Sequence, residues 1–560
     1  MTKEASNAVE GAQASVDPSD PYLREEQTFP VLSEQQVDRI SRYGETADYD
    51  KGTVLFERGD RGVDFFLVLK GNVEIYDFDP QGQPLVITTH GVRQFTGELD
   101  LFNHRKILVG GRTGEASTLV RLTRAQFERM SSTEQDIGEI IMRAFILRRT
   151  GLILHAEAGV VLIGQSTDRD LIRLNRFLNR NGYPCEVVAP DDAEALQYVS
   201  SEDLKIQNLP IVRTPNGQVF NNPSTADLAD QLGLTEEIDP EHVFDLAVVG
   251  AGPAGLSTCV YAASENLDTV VIEAEAPGGQ AGTSSKIENY LGFPTGISGP
   301  ALAGRAWIQG QKFGAKFAIA RAANEIEQNG AIFQLTTEGE RKIRARTVVL
   351  ACGATYRRLQ LENYQKFEGQ GIHYAATALE AKFCNGSEIV VIGGGNSAGQ
   401  AAIFLSGYAK HVHILIRREG LEATMSDYLV RRIHQSTKIS LHPNSELSSL
   451  QGDRVLETVS WTNNQTNAVT EKPITNVFVM IGAVPNTAWL GDCVELDNRG
   501  FIVTGSNVQQ GTSAPPFQSS IPGIYAVGDV RSGSIKRVAS GVGEGSVCVS
   551  GIHAYLAENA

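Results

Sequence analysis

Two stretches carry residues whose types and spacing suit chemistry on a dinucleotide. The first is Gly250-x-Gly252-x-x-Gly255, with Pro253 and Ala254 inside the turn. The first glycine permits a tight turn, the second lets backbone approach a pyrophosphate, and the third lets a helix pack on a strand. Glu273 follows Gly250 by 23 residues, where an acid accepts a hydrogen bond from a ribose 2′-hydroxyl. The second stretch is Gly393-x-Gly395-x-x-Ala398, with Asn396 and Ser397 between. Here Arg417 follows Gly393 by 24 residues, and Arg418 comes next. An acid at that place would repel a 2′-phosphate, whereas arginines accommodate one. The first site therefore calls for a dinucleotide with a free ribose hydroxyl, and the second for NADPH.

Each glycine turn needs a strand before it and a helix after it. The apolar run Leu246 to Val249 enters the first turn, an apolar-periodic segment leaves it, and Thr269 to Ile272 reads as the next strand. The stretch SEIVVIGGGNSAGQAAIFLSGYAKHVHILIRRE, from Ser387, repeats that order. In both, the unpaired N–H groups and positive dipole end of the helix face the pyrophosphate.

At 560 residues the chain is too long for one core. A net charge of −17 and a pI near 5.2 argue against nucleic-acid binding. No apolar run reaches 18 residues, so no membrane span is expected. Cysteines 185, 259, 352, 384, 493 and 548 are scattered without a C-x-x-C pair. That pattern fits a reducing cytoplasm and no Cys₄ metal site.

Ahead of the nucleotide units the chain divides into three parts. Residues 1–22 are polar and read as a disordered tail. Residues 23–155 hold short β-rich runs broken at Gly52, Gly59-Asp60, Gly71 and Gly82, which predicts a small β-roll. Its closing helix puts Ile137, Ile140, Ile141, Ala144 and Phe145 on one face, for a second copy or for its own domain. Residues 156–238 read β-α-β then β-β-α, with a hairpin about Asn216-Gly217. The expected fold is thus multidomain: a β-roll, an α/β domain, then two Rossmann-like domains at 239–356 with 484–560 and at 357–483.

The roll resembles the cyclic-nucleotide-binding domain of catabolite-activator-type regulators and cyclic-AMP-dependent kinases, with Phe95-Thr96-Gly97-Glu98-Leu99 as phosphate cassette. The resemblance makes Gly97 and Glu98 effector-binding candidates for a cyclic-nucleotide-like ligand. It also implies a homodimer through the closing helix. The arginine that grips the cyclic phosphate falls on Ile107, so cyclic AMP is expected to bind weakly or not at all. The α/β domain resembles thioredoxin and glutaredoxin, with Leu209-Pro210 at their cis-proline and Gln165-Ser166-Thr167-Asp168 where their C-x-x-C would stand.

From Phe244 onward the chain resembles low-molecular-weight thioredoxin reductases. The likeness rests on GAGPAG at 250–255, Pro277-Gly278-Gly279-Gln280, Ile287-Glu288-Asn289-Tyr290, IGAVPNT at 481–487 and IYAVGDV at 524–530. It implies FAD as the first dinucleotide. Gly279, Gln280 and Asn289 would lie about the cofactor, Gly528-Asp529 at its ribityl chain, and Arg537-Val538 at the opening of the last helix. Where the family often has a third arginine, this chain has Glu422. The family's redox C-x-x-C falls on Ala375 and Ala378, with Ala376-Thr377 between. No catalytic side chain is assigned. The implied function is hydride transfer from NADPH to FAD, and onward to a small molecule or small redox protein. The alternative is a flavin-based sensor of the NADPH/NADP ratio with little turnover. The flavoprotein subunit of alkyl hydroperoxide reductase is a whole-chain analogue, with thioredoxin-like units before the same core.

Overall fold

The computed structural model describes residues 20–79, 82–102, 105–155, 159–192, 195–199, 209–284, 287, 290–368, 370–374, 376, 378–453, 455–508 and 514–559. Two compact units emerge, one of residues 1–164 and 182–221, the other of 165–181 and 222–560.

The first unit contains the roll, built from two antiparallel sheets. One orders Glu45–Tyr49, Ser117–Leu122, Phe65–Lys70, and the other Val54–Phe56, Gly110–Thr113, Val73–Phe78, Pro84–His90. Between them the rings of Phe65, Phe95, Phe102, Phe127 and Phe145 are buried and in mutual contact. Phe145 comes from helix α1, Gln135–Leu154. Its Ile137, Ile141, Ala144 and Phe145 are buried in the roll, while Ile140 is only partly covered. The apolar face is therefore used inside its own domain, and the dimer surface expected there is not free.

The polar tail ends earlier than expected. Pro21–Leu23 forms a short 3₁₀ turn capped by Asp20, which accepts from Tyr22 N–H at 2.9 Å. Pro21 is buried, and the Tyr22 ring stacks on His155 at 4.9 Å. Burial of Pro21 and the stacking of Tyr22 on His155 hold residues 20–22 on the roll.

The α/β segment also departs from its expected unity at 156–238. Its four-stranded sheet, ordered Val219–Asn221, Ile211–Arg213, Val160–Ile163, Cys185–Val188, belongs to the first unit. There Arg58 donates to the Pro215 carbonyl at 2.7 Å and Arg149 to that of Gly182 at 3.2 Å. Its helices α2 (Arg169–Arg180) and Thr225–Leu232 belong to the second unit. Asp230 accepts from Arg321 at 2.5 Å and from Arg341 at 2.7 Å. Leu209-Pro210 is cis.

The second unit holds a mixed sheet, parallel except where Ile332–Thr337 and Ala323–Asn329 extend it antiparallel, and an all-parallel sheet. The first orders Lys316–Ile319, β2 (Thr269–Glu273), β1 (Val243–Val249), Arg341–Leu350, with Ile524–Ala526 added parallel to the last of these. Helix α3, Pro253–Ser264, joins β1 to β2. The second sheet orders Ile372–His373, Val477–Val479, β3 (Glu388–Ile392), β4 (His411–Leu415), Ile439–His442, all parallel. Helix α4, Asn396–Leu405, joins β3 to β4. Leu246–Val249 and Ile389–Ile392 are buried throughout, as strands covered on both faces must be. A short ladder of Ala354–Tyr356 with Ala483–Pro485 marks where the chain leaves the first sheet and returns. The last helix, α5, spans Val538–Glu558. Among the described residues no helix is long and apolar enough to cross a membrane.

A histidine cluster lies on the second sheet. His413 Nδ1 is 3.0 Å from His442 Nε2, and its Nε2 is 3.1 Å from Glu388, which also accepts from Lys472 at 2.7 Å. Burial, then the neighbouring His413 and Lys472, push His442 down to about 4, and burial also lowers His413. A histidine held neutral contributes stability that is complete above the unfolded value of 6.5 and is lost as pH falls toward the folded value. The apparent Tm should therefore be level above pH 7 and decline between 6.5 and 4.5, before ordinary carboxylates titrate. His442→Gln should flatten that decline, and an unchanged slope would remove the cluster as its cause.

Candidate functional site

The first glycine turn is built where side chains do not fit. Gly250 has φ +102°, and a Cβ there would stand 2.5 Å from the Ala351 carbonyl oxygen. At Gly255 a Cβ would meet the Gly250 oxygen at 1.9 Å, so only glycine lets α3 start this close to β1. Gly252 caps α3 without a side-chain bond, and Pro253 takes the first helical position, where no N–H is needed. The next N–H groups of α3 are thereby left for a ligand. Opposite them, Gly279 has φ +53°, and a Cβ there would lie 2.9 Å from Gly252 Cα. Two bare backbones thus form a cradle fit for a pyrophosphate.

Glu273 ends β2 at that cradle. Its Oε2 accepts from Ala251 N–H at 2.7 Å and its Oε1 from Glu275 N–H at 2.9 Å. Burial pushes it up, while those N–H bonds oppose the shift. Gln280 donates to the Ala354 carbonyl and so ties the loop to the ladder between the two sheets. Asn289 lies outside the described residues.

The last helix arrives at the same place. Gly528 has φ +74°, and its Cβ would sit 2.8 Å from Ala254 Cβ. Farther along α5, Cβ atoms at Gly541 and Gly545 would stand 3.4 Å from Ala254 Cβ and 2.3 Å from its carbonyl oxygen. Arg537 is the N-cap and Val538 the first residue of α5, again with no side-chain cap. The first turns of α3 and α5 therefore meet at Ala254, two positive dipole ends suited to an anion. Asp529 sits beside them with its acidity reduced by burial, and its carbonyl accepts from Lys536 at 2.6 Å. Sequence reasoning missed Glu544, which accepts from Gly528 N–H at 2.7 Å and from Arg531 at 2.6 Å. A lone acid among glycines in an apolar helix was the available signal.

The second turn repeats the design. Gly393 has φ +135°, and its Cβ would lie 2.2 Å from the Met480 carbonyl oxygen. Gly395 caps α4. Asn396 accepts from Ser426 N–H at 2.7 Å, Ser397 is exposed, and Ala398 is buried against the strand side. Arg417 and Arg418 lie just past β4, both exposed. Arg417 Nε is 3.8 Å from Glu446, an acid that motif spacing does not point to.

In the roll, Gly97 has φ +110° and is packed by Leu101 and Phe145. Glu98 is buried, not open to a ribose. Its Oε2 accepts from Arg149 Nε at 2.6 Å, Oε1 accepts from the same guanidinium, and Asp100 shares it at 2.5 Å. Burial raises Glu98, against the pull of Arg149. Arg148 donates to the Phe95 and Gly97 carbonyls at 3.1 and 2.9 Å. Ile107 is buried. A ligand reaching Glu98 would have to displace Arg149 of α1.

All six cysteines are free thiols. Burial pushes Cys352, Cys384 and Cys548 each up to about 12, which leaves them unreactive. Ala375 lies outside the described residues, and Ala378 opens the helix Ala378–Phe383.

Residues 244–545 match the family described as pyridine nucleotide-disulphide oxidoreductase, and residues 46–134 match the cyclic nucleotide-binding domain. The thioredoxin reductase of Listeria innocua is 31% identical over 319 residues, covering 57% of this chain and 95% of that protein. The NADPH-dependent thioredoxin reductase 3 of Arabidopsis thaliana is 32% identical over 328 residues, covering 57% of this chain and 59% of that protein. The solved thioredoxin reductase of T. acidophilum shares 29% identity at a TM-score of 0.52, covering 57% of this chain and all of that one. The chain belongs to the pyridine nucleotide-disulphide oxidoreductase family. It is an FAD-containing NAD(P)H oxidoreductase of the thioredoxin reductase type, with FAD and NADPH as cofactors and a cyclic nucleotide-binding domain in front.

If Arg417 and Arg418 receive the 2′-phosphate, each supplies a charge-assisted bond of roughly 1.5–3 kcal/mol. Arg417→Ala/Arg418→Ala should then lower the preference for NADPH over NADH about tenfold or more in stopped-flow flavin reduction. An unchanged ratio would place the phosphate elsewhere.

Proposed function

We propose that this chain takes electrons from NADPH onto FAD and hands them to an acceptor outside the chain, with no protein dithiol between. The observation that carries this is the pair Ala375 and Ala378, set beside two complete glycine cradles and six cysteines of which none is in a disulfide. Bound together, NADPH and FAD supply hydride transfer, and the protein supplies position and charge. Gly252, Gly279 and the first turn of α3 hold the FAD pyrophosphate, Glu273 its ribose, and Asp529 its ribityl chain. Arg537 and Val538 present the positive end of α5, which stabilises negative charge on the flavin ring. Gly395, Asn396 and Ser397 hold the NADPH pyrophosphate, with Arg417 and Arg418 on its 2′-phosphate.

The acceptor is a small disulfide, a quinone, oxygen, or a small redox protein docked on the thioredoxin-like segment. The listerial and plant relatives are named thioredoxin reductases, which favours a thiol-disulfide partner. Homodimer assembly rests on the resemblance to dimeric regulators and would use a surface other than the apolar face of α1.

Control by the roll belongs to the same reading. Arg149 holds the cassette acid Glu98 and the following Asp100, and also donates to the Gly182 carbonyl at 3.2 Å. The preceding residue, Asn181, donates to the Glu275 carbonyl beside the flavin cradle at 3.0 Å. An effector that took Glu98 from Arg149 would loosen the hold of Arg149 on the Gly182 carbonyl.

The sensor reading differs in one respect: a sensor is reduced once and stops. An acceptor screen on the purified protein, with and without cyclic nucleotides, separates the two. NADPH oxidation should continue past one equivalent per flavin with at least one disulfide, quinone or oxygen acceptor. A single reduction with every acceptor would favour the sensor.

A further inference from the structure

The loop that follows Glu273 is held by residues about 95 positions earlier in the chain, within the same compact unit. Within the loop, Glu275 N–H bonds to Glu273, and Gly278 N–H bonds to the Ala251 carbonyl at 2.7 Å. These bonds place Gly279 against Gly252, the bare pair on which the pyrophosphate cradle depends. The remaining anchors come from the last residues of α2. Arg180 forms an ion pair with the Glu275 carboxylate, and its Nη2 donates to the Gly279 carbonyl at 3.2 Å. Asn181 is buried, and its Nδ2 donates to the Glu275 carbonyl at 3.0 Å and back to Phe177 at 2.9 Å. Arg176 adds a longer contact to Glu275 at 3.6 Å.

We propose that Arg180 and Asn181, from the thioredoxin-like segment, are positioning residues of the FAD site. They fix the Glu275–Gly279 loop on the glycine turn and neutralise Glu275 beside an anionic ligand. The charge argument is local. Glu275 lies two residues past Glu273, and an unpaired carboxylate there opposes both a diphosphate and the ionised form of Glu273. Arg180 acts in the opposite sense on Glu273. The Arg180 side chain is 17% exposed and that of Glu275 56%, so water screens the charge pair substantially and the backbone bonds of Arg180 and Asn181 to the loop share the hold. A segment without redox cysteines thus has a task in this molecule: it completes the cofactor site of the domain behind it. This inference rests on the assignment of FAD to the first glycine turn.

The test is FAD release from the intact holoprotein, read as the rise in flavin fluorescence after dilution. Loss of a charge-assisted pair predicts that Arg180→Met releases FAD about tenfold faster than wild type. Adding Glu275→Gln to Arg180→Met should bring release back to within about threefold of wild type, because the uncompensated charge is then gone. A role limited to propping α2 would not be rescued that way, so absence of rescue overturns the charge argument. Release by Arg180→Met at the wild-type rate overturns the proposal entirely. If Arg180→Met does not fold, Arg180→Lys serves instead: it keeps charge but not the forked geometry, and release about threefold faster is expected. Release by Arg180→Lys at the wild-type rate would equally overturn the proposal. Wild-type protein that takes up no FAD at all would overturn the flavin assignment itself, and the inference with it.

Discussion

Everything in the nucleotide half of the molecule depends on how closely its backbone approaches itself around Ala254. Three glycines, at 528, 541 and 545, stand where a Cβ would press on Ala254, and Gly279 stands where one would press on Gly252. Close packing of this kind admits no extra methylene without displacement. The result is that two helices begin at one point with their N–H groups free and no side chain between them and a ligand. The position of Glu273, the support from Glu544 and the anchoring of the Gly279 loop all follow from keeping that approach intact.

The second nucleotide unit uses the same backbone device with opposite chemistry at its edge. Glu273 is buried and bonded to two N–H groups, whereas Arg417 is 77% exposed with only a distant acid near it. A buried acceptor suits a ligand held permanently, and exposed arginines suit one that comes and goes. The two sites thus match a resident FAD and an exchanging NADPH in charge and in access.

Much of this was legible in the residues. Glycines at fixed spacing report positive φ and close approach directly, so the roles of Gly250, Gly255 and Gly393 follow from their spacing, whereas Gly528 was marked only by the family resemblance. The apolar strands bordering them are equally plain, because a doubly covered strand has no polar alternation. What could not be read were partners far away in sequence. Periodicity marked the apolar face of α1 but not that Phe145 would fill the roll. The cassette spacing marked Glu98 but not that Arg149, 51 residues later, would take both its oxygens. The β-α-β order of the thioredoxin-like segment gave no sign that Arg180 and Asp230 would bind its helices to the flavin domain. Arginine contacts of this length have no local signature.

The central claim is that electrons leave the flavin without passing through thiols of this chain. Alanine at both redox-cysteine positions, together with burial of the thiols at 384 and 548, leaves no pair to accept them. An anaerobic titration with NADPH measures this directly, by counting equivalents per flavin and watching for long-wavelength absorbance. The account predicts complete bleaching of the flavin band at one equivalent and no thiolate-to-flavin charge-transfer band at any point. Uptake of a second equivalent with a new long-wavelength band, both abolished by a cysteine-to-serine change, would contradict it.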